Sequence, residues 1–166
     1  MQSSKILLFL VLVFSTIIAA CATAPKPMVA ETKNIIFVCE HGNVKSLMAA
    51  SYFNQLAKSN NLPYHALSRA TVPDSKTVPP SISKGLSAEG IDVSSFEPTG
   101  ISSSDITSAQ LIITIGVSLP ENLQGNTVPV EKWNDIPPAS VDFNASSNSI
   151  KLHLQTLINQ LGQAKD

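Results

Sequence analysis

The stretch Asn34-Ile35-Ile36-Phe37-Val38-Cys39-Glu40-His41-Gly42-Asn43-Val44-Lys45-Ser46 decides the fold. From Ile35 to Val38 it is apolar and largely β-branched, the pattern of a strand buried on both faces. After Ser46 a stripe of Leu47, Met48, Ala49, Ala50, Tyr52, Phe53 and Leu56 predicts a helix running to about Lys58. The residues between them form a strand-to-helix turn. In such a turn successive backbone N–H groups face inward, and the helix N-terminus adds partial positive charge. The loop from Cys39 to Ser46 is therefore expected to cradle a tetrahedral oxyanion, with Glu40, His41, Gly42, Asn43, Val44 and Ser46 around it. The same field favours the thiolate of Cys39. Lys45 can fold over the anion, and Ser46 can donate a hydrogen bond to the sulfur. Gly42 can take a left-handed backbone without cost. His41 either flanks the ligand or points into solvent. A nucleotide P-loop also ends in Lys-Ser, but it needs glycines where Cys39 and Val44 stand, so it is excluded.

Outward from this stretch, strands and helices alternate. Tyr64 to Ser68 reads as a second strand after the Asn60-Asn61-Leu62-Pro63 turn. Pro79-Pro80 opens a helix carried by Ile82, Leu86 and Ala88 to Gly90. A short helix is expected at Ser104-Asp105. Leu111 to Ile115 is the strongest buried strand, and Thr127 to Trp133 is a shorter one. Ile150, Leu154, Leu157, Ile158 and Leu161 mark an amphipathic C-terminal helix from about Asn144. The pattern predicts one α/β domain, a four-stranded parallel sheet with helices on both faces. In such a sheet the ligand lies at the carboxyl ends of the strands, where Cys39 falls.

The first residues do not belong to this domain. Lys5 precedes the unbroken apolar run Ile6 to Phe14, and Ile18-Ala19-Ala20-Cys21 ends it. The apolar core is shorter than the ~20 residues of a membrane span. Residues 1–20 read as a signal peptide, and the ending matches the bacterial lipobox, in which Cys21 is lipidated. The alternative is an ordinary signal peptide cut near Ala20. Residues 21–33 are then the lipidated cysteine and a flexible tether, and residues 34–166 the folded domain. With Ala22 after the cysteine, the expected location is the periplasm-facing cell envelope, at the outer membrane in preference to the inner.

Formal net charge is −1 and no basic stripe is present, so nucleic acid is not an expected partner. The chain has two cysteines. With Cys21 assigned to lipid, Cys39 is an unpaired thiol in an oxidising compartment, which invites a functional explanation. Cys39 and His41 together make a weak ligand set, and His65 and His153 have no matching spacing, so no metal or cofactor is expected.

Ile36-Phe37-Val38-Cys39 followed by Lys45-Ser46-Leu47-Met48-Ala49-Ala50 resembles the low-molecular-weight protein tyrosine phosphatases and the related thiol arsenate reductases. Leu67-Ser68-Arg69-Ala70 resembles the end of that family's second strand, and Gly90-Ile91-Asp92-Val93 the stretch after its second helix. Trp133-Asn134-Asp135-Ile136-Pro137 resembles the loop presenting its aspartate. The resemblance implies Cys39 as nucleophile and Asp135 as general acid in phosphomonoester hydrolysis.

Two departures matter. Lys45 stands where the family has arginine, so a point charge replaces a planar fork. Loss of such a donor costs about 3 kcal/mol of transition-state stabilisation, which predicts weak turnover. Arg69 is either a compensating cation or a surface arginine at a strand end. The glycine and asparagine are also displaced by one position. The arsenate reductases relay oxidation through further cysteines, and this chain has none to supply. The expected activity is a weak cysteine-dependent phosphomonoesterase acting as a monomer on an unidentified phosphorylated substrate. The alternative is a non-catalytic lipoprotein that binds or senses phosphate or arsenate.

Overall fold

A computed structural model describes residues 32–163 of the chain. The expected signal peptide, Cys21 and nearly all of the tether lie outside the described residues. Four parallel strands are present, β1 Lys33–Cys39, β2 Tyr64–Ala70, β3 Ala109–Ile115 and β4 Val130–Trp133, in the order β2-β1-β3-β4. The helices are α1 Lys45–Ser59, α2 Pro80–Ala88, α3 Ser103–Ser108 and α4 Phe143–Gln163. This is the expected single α/β domain with helices on both faces.

The two faces of the sheet follow from the period-2 alternation of β1. Ile35, Phe37 and Cys39 face α1 and α4, in one core with Leu47, Met48, Phe53, Ile113, Ile115, Ile150 and Leu154. Ile36 and Val38 face the other way, against Ile112, Ile106 of α3, Leu119 and Leu123. Among the described residues, that second face is covered by α3, the 3-10 turn Glu121–Leu123 and the chain beside it. Phe37 is tilted against Phe53 at 6.0 Å and against Trp133 at 5.5 Å, so one strand residue ties α1 to the end of β4. Trp133 is accordingly core, 1% exposed, with its indole N–H donating to Glu131.

The fourth strand is shorter than the sequence predicts. Asn126 accepts the Val128 N–H in its side chain, and Pro129 has no N–H to give. Pairing therefore begins at Val130. The 3-10 turn at Glu121–Leu123 has too short an apolar pattern to be read from sequence.

Candidate active site

β1 ends at Cys39 and α1 begins at Lys45, so the intervening loop sits at the carboxyl edge of the sheet. Gly42 is what lets it close. Its φ is +68°, and a Cβ there would come within 3.0 Å of both the Cβ and the N of Ala70. Only glycine meets both demands. The loop is pinned to the chain just beyond β2, where Thr71 N–H donates to the Cys39 carbonyl and Val72 N–H to the Glu40 carbonyl. Asn43 adds a tie, its Nδ2 donating to the Thr77 carbonyl at 2.8 Å. Among the described residues, no group accepts a hydrogen bond from the backbone N–H groups of His41 to Ser46. They remain open to an anion, together with the amino end of the 15-residue α1.

A cavity of about 130 Å³ opens beside this loop, lined on one side by Cys39, Glu40, His41, Asn43, Val44 and Lys45 and on the other by Ile115, Gly116 and Val117. Cys39 is 4% exposed. Its sulfur lies 2.9 Å from Ser46 Oγ, which lies 2.8 Å from Ser68 Oγ; Ser68 also reaches the Gly42 carbonyl at 2.9 Å. Ser68 Oγ is the donor in both of its contacts, and its single proton goes either to Ser46 Oγ or to the Gly42 carbonyl. The Ser46 proton is therefore free for the sulfur, and a thiolate, which only accepts, takes its hydrogen bond from Ser46.

Lys45 reaches across the cavity to the opposite wall. A Cβ at Gly116, whose φ is +70°, would stand 2.9 Å from Nζ. Among the described residues no carboxylate pairs with Lys45, so its charge is available to an anion in the cavity. At the mouth, His41 Nδ1 lies 2.7 Å from Asp74 Oδ1, and its Nε2 lies 3.8 Å from Glu40. A carboxylate only accepts, so Nδ1 carries the proton. The hydrogen bond from His41 holds the Asp74 carboxyl below its usual range. Among the described residues no group of three His, Cys, Asp or Glu side chains could hold a metal ion.

Two of the residues singled out in the sequence stand elsewhere. Arg69 is on the face of β2 opposite Ser68, because neighbouring strand residues point to opposite faces. Its guanidinium is spent on Asp105 at 2.8 Å and on the Ser68 carbonyl at 2.9 Å, and it is not among the cavity's lining residues. Asp135 lies just beyond the end of β4, which is two strands over from β1 in the sheet. It is not among the lining residues either. His153 Nε2 lies 2.9 and 3.0 Å from its two oxygens. That hydrogen bond holds the Asp135 carboxyl below its usual range.

Ser68, Asp74, Gly116 and His153 were not foreseen. Gly116 carried a legible signal, a glycine directly after the strongest strand at the sheet edge where ligands bind. The others touch the site only through tertiary contacts.

The model of the family described as low molecular weight phosphotyrosine protein phosphatase matches residues 34–131. The chain belongs to that family. The match ends before Asp135. Among solved structures, the fold is similar to YfkJ from Bacillus subtilis, with a TM-score of 0.71 and 19% identity over 83% of this chain and 99% of that one. It is also similar to a low-molecular-weight protein tyrosine phosphatase from Streptococcus pyogenes, with a TM-score of 0.63 and 16% identity over 78% and 93% of the two chains. A thioredoxin-dependent arsenate reductase from Corynebacterium glutamicum gives a TM-score of 0.66 and 16% identity over 82% of this chain. The chain spans 65% of the length of that reductase. At these identities the likeness is one of fold. No significant sequence match is found among curated proteins.

Proposed function

We propose that this protein is an envelope-located phosphomonoesterase of low turnover, lipid-anchored through Cys21, that works through a phosphocysteine on Cys39. The observation that carries the reading is the Ser46 hydroxyl 2.9 Å from the Cys39 sulfur, at the edge of a loop whose amides are open. A charge-assisted hydrogen bond to sulfur stabilises the thiolate as nucleophile and as leaving group. In the first step the sulfur forms a bond to phosphorus, and the bond from phosphorus to the ester oxygen breaks. Asp135, once released from His153 and protonated, gives its proton to that oxygen. In the second step water attacks phosphorus, the sulfur–phosphorus bond breaks, and Asp135 takes a proton from the water. The loop amides and Lys45 hold the equatorial oxygens throughout. Lysine in place of the family's arginine gives up bidentate contact, which is why turnover is low.

The pairing of Asp135 with His153, outside the cavity, favours a second reading. In it the protein binds or senses phosphate or arsenate in the same cradle without turning it over. Steady-state hydrolysis of an aryl phosphate distinguishes the two. The enzyme reading expects turnover that Cys39→Ser abolishes and Lys45→Arg raises. Saturable phosphate binding with no Cys39-dependent turnover would favour the binder.

A further inference from the structure

Asp135 is an exposed carboxylate, 69% accessible, yet it is held in one place by a partner that is itself fixed. The His153 ring stacks on Trp133 at 4.7 Å with the planes 24° apart. Trp133 in turn is buried against Phe37 and tied to Glu131 at 2.8 Å. The imidazole therefore has little freedom, and its Nε2–H faces both oxygens of Asp135. The backbone that carries Asp135 starts from the cavity wall, since Gly116 N–H donates to the Trp133 carbonyl at 3.1 Å and Gly116 lines the cavity. A single residue, Asn134, thus separates a pocket-wall contact from a carboxylate turned to α4.

We propose that His153 is a positioning residue for Asp135, a latch that holds the carboxylate against α4 and out of the cavity until the pair opens. This rests on the reading of the protein as a phosphatase with Asp135 as its acid. The latch lowers turnover independently of Lys45. An acid that spends most of its time paired elsewhere protonates few leaving groups, and poor leaving groups suffer most. Glu131 on β4 is a charged neighbour of the pair, bound to the Trp133 indole on which the His153 ring stacks.

The test compares the full chain with His153→Phe, which keeps a ring on Trp133 and removes the hydrogen bond, and His153→Gln, which keeps an N–H donor. Turnover is measured on 4-nitrophenyl phosphate and on phenyl phosphate, whose leaving group needs the proton far more. The Asp135 carboxyl is titrated by carbon-13 NMR in the same proteins, and Cys39→Ser supplies the background. The latch predicts that His153→Phe moves the Asp135 midpoint upward. It also predicts that the variant raises phenyl phosphate turnover by about tenfold with a much smaller gain on the nitrophenyl ester. His153→Gln should stay near wild type. An unmoved Asp135 midpoint overturns the latch whatever the activity. A moved midpoint with both esters changed equally overturns it too, because His153 would then be structural. Absence of Cys39-dependent turnover in every protein overturns the phosphatase reading first and the latch with it, whereas the other two results leave that reading standing.

Discussion

Ser46 Oγ stands 2.9 Å from the sulfur of Cys39, and this hydroxyl belongs to the first turn of α1. The contact links three levels of the molecule. A β-branched strand delivers the cysteine to the sheet edge, Gly42 turns the chain, and the helix start returns a donor to the sulfur. If the hydroxyl serves the thiolate, Ser46→Ala removes a hydrogen bond to a charged acceptor, worth about 2 kcal/mol. Alkylation of Cys39 by iodoacetamide near neutral pH should then slow by roughly tenfold or more. Unchanged alkylation would mean that the hydroxyl is a packing contact only.

Gly42 is the backbone condition for the loop. Gly42→Ala forces a side chain into a left-handed residue and against Ala70 at 3.0 Å. The expected cost is about 2 kcal/mol or more, read as a lowered midpoint in urea unfolding, with loss of phosphate binding.

Arg69 and Asp105 make a mostly buried ion pair on the far face of β2, where Asp105 also closes the capping box of α3 with Ser102. Burial alone would push the Asp105 carboxyl upward, but hydrogen bonds from Arg69 and Ser102 outweigh it and hold the carboxyl below its usual range. A depressed folded value means stability that is present above the unfolded value of about 3.9 and lost as pH falls through the folded one. Arg69→Met should therefore destabilise by about 3 kcal/mol near neutrality, leaving Asp105 buried without its partner. The gap from wild type should narrow as pH drops below about 4 in urea titrations. Phosphate binding should survive in the folded variant, because Arg69 does not line the cavity.

Lys45 supplies the unpaired charge across the cavity. Lys45→Ala should weaken phosphate binding by roughly tenfold or more in calorimetry, with the fold intact, as expected for loss of a charge-assisted contact. Gly116→Ala tests the same geometry from the other wall, since its Cβ would meet Lys45 Nζ at 2.9 Å and displace it.

Much of this fold is legible in the sequence because its two central strands, β1 and β3, are buried on both faces and read as apolar runs, Ile35 to Val38 without a break and Leu111 to Ile115 broken by Thr114. The cradle is legible for a related reason: strand, turn and helix are contiguous in the chain, so Cys39, Gly42, Lys45 and Ser46 can be assigned to one loop. Arg69 and Asp135 are not, because where each side chain goes is decided across the fold. Strand alternation sends Arg69 to the face that carries Asp105, 36 residues away. Asp135 is drawn to His153, 18 residues on in α4, by a stack on Trp133 that no local pattern announces. The start of β4 is hidden for a local reason, the capture of Val128 N–H by Asn126.

The most direct test of the central claim, that the Cys39–Ser46 loop holds a tetrahedral oxyanion against the sulfur, is the alkylation of Cys39 in the presence of increasing inorganic phosphate. The full chain carrying Cys21→Ser would be monitored by intact mass. The cradle predicts that phosphate slows modification of Cys39 saturably, and that Lys45→Ala shifts this protection to higher phosphate. Alkylation indifferent to phosphate would contradict the account.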